Sequence, residues 1–432
     1  MQVTGWGHYP RVEAALVMPR STHEVGGLLR DGFRGIARGL GRSYGDSSLA
    51  PQLIDTSRLD HFLAFDPDSG QLRCEAGVSL AQILATFVPR GWFLPVTPGT
   101  KYVSVGGAVA SDVHGKNHHV AGTFCDHVMA LRVALPSGDL VECSPSVNPE
   151  LFRATCGGMG LTGVIVEAEF RLHRIASAYI DQTTCKARNL AEVMALFEEH
   201  AAAPFSVAWI DCLASGPRLG RSLLNVGDFA PRGYLTAGKP PTLAIPVDLP
   251  GATLNRHSIR AFNALYYGRV RQARISERVH YEPFFYPLDG IGQWHRMYGK
   301  GGFTQYQFVL PRAAGLQGMR SIIERIAQSR RGSFLAVLKA FGPGNDNYLS
   351  FPTEGYTLAL DFKLDPGLFR LLEELDHAVL DYGGRIYLTK DVRMRGSTFK
   401  RSYPQWEAFA AVRARYGADR TFFSLQSQRL GI

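Results

Sequence analysis

Hydrophobic and polar positions repeat with two different periods along the chain, and the changes of period mark its elements. Gln71–Ala76 puts Leu72, Cys74 and Ala76 on one face, the two-residue period of a half-buried strand. Val78–Phe87 brings Leu80, Ile83 and Leu84 to one side at helical spacing. Asp126–Leu135 and Asp139–Cys143, joined by Pro136-Ser137-Gly138, predict a hairpin. Asn148–Thr155 predicts a short helix, and Gly163–Leu172 a strand with Val164, Val166, Ala168 and Phe170 aligned. Asn189–Ala202 is helical in pattern. From Ser215 to Gly251 proline and glycine crowd the chain, including Lys239-Pro240-Pro241 and Leu249-Pro250-Gly251, which predicts a long functional or mobile loop. Strands and helices then alternate: Phe303–Leu310, Ala314–Ser329, Ser333–Phe341, Tyr356–Leu364, Pro366–Tyr382 and Arg385–Thr389. This order is α+β with mixed strand order rather than a regular βαβ series.

The length of 432 residues suits two domains. A net charge of +9 favours an anionic ligand or surface. No apolar run approaches the length of a membrane span, and Met1–Pro10 lacks a secretory pattern. The six cysteines form no CxxC pair, so reduced core cysteines in a cytoplasmic protein are expected, with neither a disulfide framework nor a metal site. No signature of nucleic-acid binding is present.

Glycine changes the picture. There are 46, above the usual share of about 7%, and three loops concentrate them. Arg34–Asp46 sets Gly39, Gly41 and Gly45 among Arg38 and Arg42; consecutive free N–H groups and cations make an anion nest suited to a pyrophosphate. Thr97–Thr123 combines Pro98-Gly99 and Gly106-Gly107 with His114-Gly115-Lys116-Asn117-His118-His119. His114 and His118 mimic a helical metal pair, but the glycines argue for a loop and no further ligands stand at suitable spacing. Cys156–Gly163 contains a formal GxGxxG at Gly158, Gly160 and Gly163, yet a helix precedes it and a strand follows, the reverse of a dinucleotide fold. Together the loops favour an extended dinucleotide lying across one domain.

RGLGRSYGD (Arg38–Asp46), PGTKYVSVGGAVASDVHGKNHH (Pro98–His119) and GGMGLTG (Gly157–Gly163) resemble the PCMH-type FAD-binding domain of the vanillyl-alcohol-oxidase superfamily. Through TQYQFVLP (Thr304–Pro311), LKAFGP (Leu338–Pro343), LSFP (Leu349–Pro352) and GGRIYLTKD (Gly383–Asp391), the likeness runs nearly end to end with the branch that acts on polyprenylphosphoryl riboses. The resemblance implies a two-domain α+β fold: an FAD-binding domain at 1–178, a substrate domain on an antiparallel sheet at 179–384, and a C-terminal segment, 385–432, returning to the first. It implies FAD held by Arg38, Gly39, Leu40, Gly41, Arg42, Ser43 and Tyr44, then by Thr97, Gly99, Thr100, Val105, Gly106, Gly107, Ala110, Ser111, His114, Asn117 and His118. Gly160, Gly163, Val164, Gln307 and Tyr387 complete the cofactor set. Arg42 stands where several relatives carry a histidine that bonds covalently to flavin, so non-covalent FAD is expected.

Oxidation of a secondary alcohol by flavin needs a base for the hydroxyl proton and a carbon held for hydride transfer. Lys390, after the apolar run Ile386–Thr389, and His114 are the candidates, and the choice between them stays open. Lys339 shares a strand face with Leu335 and Val337, and a lysine facing inward needs a partner. Gln305 and Gln307 share a face with Phe303 and Val309; Thr357, Ala359 and Asp361 line one face of their strand. The resemblance adds Lys116, Trp209 and Tyr298 to this substrate set. Mycobacterial members carry cysteine in place of Ala359 and asparagine in place of Thr357, so capture by thiol-reactive nitroaromatics is not expected here.

The activity implied is oxidation of the 2′-hydroxyl of a polyprenylphosphoryl-β-D-ribose to the ketone. A separate NAD(P)H-dependent short-chain reductase would complete an epimerisation that makes the arabinose donor of cell-wall arabinan. Peripheral contact at the inner membrane face is expected, with residues 215–260 as the lid that admits the lipid. A soluble sugar, polyol or aldonolactone oxidase of the same superfamily is the alternative.

Overall fold

The computed structural model describes residues 1–239, 241 and 243–432; Pro240, within the expected proline-rich loop, lies outside the described residues. Short apolar strands, each bounded by a turn, build the amino-terminal half. Strands β1 (Ala15–Val17), β2 (Ile36–Arg38) and β3 (Gln52–Asp55) form a small parallel sheet with β3 in the middle. Strands β4 (Phe62–Phe65), β5 (Gln71–Glu75), β6 (Val128–Ala134), β7 (Leu140–Cys143) and β8 (Val164–Arg171) form an antiparallel sheet in the order β7-β6-β8-β5-β4. The β6–β7 pair is the expected hairpin. Helix α1 (Leu80–Phe87) starts at a capping box in which Ser79 accepts from the Gln82 N–H while Gln82 reaches back. Its Leu80, Ile83 and Leu84 are buried.

The second glycine segment is less of a loop than its composition implies. Helix α2 (Val105–Ala110) begins at Ser104, whose hydroxyl accepts from the Gly107 N–H. Gly106 is needed there because a Cβ would lie 3.0 Å from that of Ala76. His114 remains in extended chain, and His118 opens a separate short turn, His118–Ala121. Helix α3 (Pro149–Thr155) precedes the third glycine loop and β8 follows it, so the GxGxxG there has the order that excludes a Rossmann site.

Strands β9 (Tyr179–Ala187), β10 (Phe205–Ile210), β11 (Ser222–Phe229), β12 (Arg274–His280), β13 (Phe303–Pro311), β14 (Ala336–Phe341), β15 (Gly355–Lys363) and β16 (Arg385–Ile386) form one antiparallel sheet. The order is β12-β9-β11-β10-β14-β15-β13-β16. Helices α4 (Leu190–Glu199), α5 (Arg256–Gly268), α6 (Gly315–Ser329) and α7 (Leu368–Asp381) accompany it. Strand β11 corrects the expectation of an unbroken loop over 215–251. Its Leu223, Leu224 and Val226 are buried between β9 and β10, while the prolines fall outside it and raised the loop signal by proximity. The strand expected over Arg385–Thr389 is also shorter: after Ile386 the chain makes a 3₁₀ turn, Leu388–Lys390.

The carboxyl-terminal helices α8 (Trp406–Arg415) and α9 (Leu425–Leu430) pack on the amino-terminal half. The Gly35 N–H donates to Thr421 O at 3.0 Å, and the Phe423 N–H donates to Gly35 O at 2.9 Å. Arg429 of α9 reaches Asp46 at 2.7 Å and Asp391 at 2.9 Å, tying the first glycine loop to the chain that carries Lys390. Burial raises the Asp46 carboxyl. Burial also pushes up Asp391, but Arg429 and Arg393 outweigh it and leave Asp391 below its ordinary value. Removing the shared cation leaves two carboxylates facing each other away from water. Arg429→Met should therefore lower stability by about 3–5 kcal/mol, read as a fall in the midpoint of tryptophan-monitored denaturation; an unchanged midpoint would contradict this.

Candidate active site

A cavity of about 600 Å³ separates the glycine loops from the large sheet. On one wall stand Gly39, Leu40, Gly41, Arg42, Ser43 and Tyr44, then Thr97, Gly99 and Thr100, then Gly106, Gly107, Ala110 and Ser111, with Gly160 and Gly163 beyond. Among the described residues, no protein acceptor takes the backbone N–H of Leu40, Gly41, Arg42 or Ser43. Four consecutive free donors along a cavity wall suit a pyrophosphate. Gly99 presents open space where a side chain would begin. This wall therefore fits FAD: a long groove of glycine backbone with donors where a dinucleotide carries its charge.

The two arginines of the first loop have different places. Arg38 does not line the cavity. It donates to Thr4 O at 2.7 Å and to Ser48, bracing the loop from behind, and a Cβ at Gly41 would overlap its guanidinium. Arg42 does line the cavity, lying 3.9 Å from the Trp6 ring centroid. Val105 and Val164 are buried in the packing behind the wall. Asn117 donates to Pro95 O at 2.8 Å, and His118 accepts from the Gly342 N–H at 3.2 Å. These residues support the wall rather than face its interior.

The opposite wall follows from strand register. Antiparallel pairing sets Gln307 across from Ala359 and Gln305 across from Asp361 on β13 and β15. It sets Lys339 across from Thr357 and Val337 across from Ala359 on β14 and β15. Alternation turns one set of these side chains to the cavity, where Gln305, Gln307, Lys339, Thr357 and Ala359 gather with Trp209, Lys116, Tyr387 and Lys390. Asp361 lies one step behind, accepting from Gln305 Nε2 at 2.5 Å. Tyr298 also stays behind the wall, stacked on Phe303 with centroids 4.3 Å apart. Among the described residues, no cysteine lines the cavity.

Polar contacts orient the centre. Gln307 Nε2 donates to Thr357 Oγ1 at 3.2 Å and meets His114 Nε2 at 2.9 Å, while the Thr357 hydroxyl donates to Phe308 O. The network assigns His114 Nε2 as an acceptor and puts its proton on Nδ1, which is buried with no hydrogen-bond partner. Burial holds this imidazole well below its ordinary pKa, and Lys339, His118 and Lys390 depress it further. It is a neutral ring with its one lone pair already engaged. Tyr387 donates to Ser111 O at 2.9 Å, bridging the two walls.

The lysines behave differently. Burial pushes Lys339 down to about 8, and burial with Lys339 nearby pushes Lys116 to about 7. Lys116 donates to Phe284 O; Lys339 has no protein acceptor among the described residues. Lys390 lies 4.0 Å from the Tyr44 ring centroid. Burial lowers its pKa far from the ordinary lysine value; Asp361 counters this and Lys339 adds to it. Burial raises Asp361 in turn, opposed by Gln305 and Lys390. The Lys390 turn is pinned on three sides: Tyr387 N donates to Gln307 O, Tyr44 N to Thr389 O, and Gln426 Nε2 to Leu388 O. A Cβ on Gly45 would overlap the Asp391 carbonyl, so glycine lets the first loop approach this turn.

Several lining residues carried no sequence signal. Trp6, Phe284, Phe285 and Asp289 come from segments without a motif; Asp289 accepts from the Lys101 N–H at 2.9 Å and faces Arg42. Asn225 also lines the cavity, and its signal is a polar position among Leu223, Leu224 and Val226 of β11.

Residues 14–144 match the FAD binding domain family. The chain is 36% identical to the decaprenylphosphoryl-β-D-ribose oxidase of Mycolicibacterium smegmatis, over 99% of this chain and 97% of that protein. An uncharacterized protein of Streptomyces coelicolor is 31% identical over 82% of this chain and its own full length. The L-gulono-1,4-lactone dehydrogenase of Mycobacterium tuberculosis is 22% identical over 98% of both chains. The end-to-end match and the cavity it surrounds agree, and the chain belongs to the decaprenylphosphoryl-β-D-ribose oxidase family of FAD-binding oxidoreductases.

Proposed function

We propose that this FAD-dependent oxidoreductase converts the 2′-hydroxyl of a polyprenylphosphoryl-β-D-ribose to the 2′-ketone. The observation that carries the reading is the charge of the cavity. Lys116, Lys339 and Lys390 converge on it; Asp361 stands behind its wall beside Lys390, and of the lining carboxylates Asp289 faces Arg42 while Glu277 lies on the β12 strand. Lys339, a cation pushed down by burial and without a protein acceptor among the described residues, favours an anionic ligand. A phosphodiester meets that need; a neutral lactone does not.

In this reading the glycine wall, with Arg42, holds FAD, which when bound accepts the hydride from the substrate carbon. Lys339 and Lys116 draw the phosphate inward. Gln305 is held by Asp361, so its amide carbonyl is free to receive a sugar hydroxyl. Lys390 takes the hydroxyl proton: burial keeps a share of it neutral near physiological pH, and Asp361 stabilises the ammonium once the proton arrives. His114, its Nε2 engaged by Gln307, orients the centre and leaves the proton step to Lys390. Reduction of the ketone belongs to a separate NAD(P)H-dependent reductase, since the GxGxxG of this chain lies in helix–loop–strand order.

Anaerobic mixing with a short-chain prenylphosphoryl ribose should bleach the flavin absorbance, and L-gulono-1,4-lactone should bleach it far more slowly. Equal or faster bleaching by the lactone would transfer the assignment to an aldonolactone oxidase. Arg42, held against Trp6, offers no histidine for a covalent flavin link. Acid precipitation should therefore leave the yellow flavin in the supernatant; flavin retained in the pellet would contradict non-covalent binding.

A further inference from the structure

The outer side of α5 has the wrong polarity for a helix in water. Solvent-facing helices ordinarily turn charged residues outward. Here Ala261, Phe262, Ala264, Leu265 and Gly268 are exposed, Leu265 at 76%. Among the described residues, the three most exposed large apolar side chains are Tyr234, Leu265 and Leu243, all from the same part of the chain. The charge is one-sided too. Between Leu249 and Ser276 there are five arginines and no acidic residue. Arg274 pairs with Glu199, whereas Arg256, Arg260, Arg269 and Arg271 have no ionic partner among the described residues.

The inner side of the same helix belongs to the cavity. Asn263 donates to the buried Asp211 at 2.7 Å, fixing the helix to the sheet. Tyr266 packs on Trp209 with centroids 4.7 Å apart and lines the cavity. Arg269, exposed, lies over the Tyr266 ring at 3.9 Å and lines the cavity as well, so the cavity reaches the surface where the helix ends. One helix thus covers the cavity and turns an apolar, arginine-flanked strip outward.

We propose that α5 and the arginines around it dock on an anionic lipid surface. Cations at both ends of an apolar strip, with no carboxylate among them, match a plane of lipid phosphates above hydrocarbon. Leu265 and Phe262 enter below the headgroups while Arg256, Arg260 and Arg271 meet phosphates. The cavity mouth beside Arg269 then opens where a prenyl phosphate resides. This rests on the substrate reading above for its purpose, but not for its test.

The test is co-sedimentation of the flavin-loaded full chain with phosphatidylcholine vesicles, with and without phosphatidylglycerol. Binding is expected to the mixed vesicles only and to weaken with salt. Leu265→Glu, and separately Arg260→Glu with Arg271→Glu, should each reduce it at least about tenfold. Flavin content and bleaching by a short-chain substrate should stay unchanged. Equal binding to both vesicles, no binding, or variants that bind like the parent would overturn the proposal. A dimer in solution that Leu265→Glu dissolves, without vesicle binding, would assign the face to a second copy instead. Vesicle binding with no bleaching by the prenylphosphoryl ribose would leave this proposal standing and remove the substrate reading.

Discussion

The constraint on which the site depends is the cost of holding lysine ammonium groups away from water. Lys116, Lys339 and Lys390 are all pushed down by burial, and each is placed by a rigid element: the chain after α2, strand β14, and the turn after β16. A protein seeking only stability would replace such groups with apolar ones. Their retention around one cavity makes sense where a ligand supplies the missing negative charge and where one amine must be able to accept a proton.

The rest of the architecture holds that arrangement. Antiparallel register brings Lys339, Thr357, Ala359, Gln305 and Gln307 to one face, so the sheet wall of the cavity needs no special loop. The glycine wall works the other way, removing side chains so that backbone donors can line the groove. The two walls are joined where Gly45 lets the first loop approach Asp391 and where Arg429 binds Asp46 and Asp391 together. The glycine wall and the turn that carries Lys390 are thus kept in fixed relation by one buried ion network.

Much of this was legible in the residues, because period and register obey local rules. The faces carrying Lys339, Gln305, Gln307 and Thr357 follow from two-residue alternation alone. Other features were hidden by the same locality. Strand β11 was masked by prolines that flank it, and α2 by a glycine pair of which Gly106 serves close packing against Ala76 rather than a turn. Arg38 and Arg42 are equivalent in sequence, yet one braces the loop and the other faces the cavity; contacts with Thr4, Ser48 and Trp6 decide it. Asp289 and Phe284 reach the cavity only through tertiary packing, for which no short-range signal exists.

The pH dependence of the flavin-reduction rate constant, compared between the parent and Lys390→Met, tests the account most directly. A lysine that must be neutral to accept the proton makes the parent rate rise with pH, through an ionisation far below the ordinary lysine value. The variant should lose that rise and be slower by about 10²–10⁴-fold, with flavin still bound. A variant that keeps the parent's profile and rate would show that Lys390 is not the proton acceptor and that the buried charges serve another purpose.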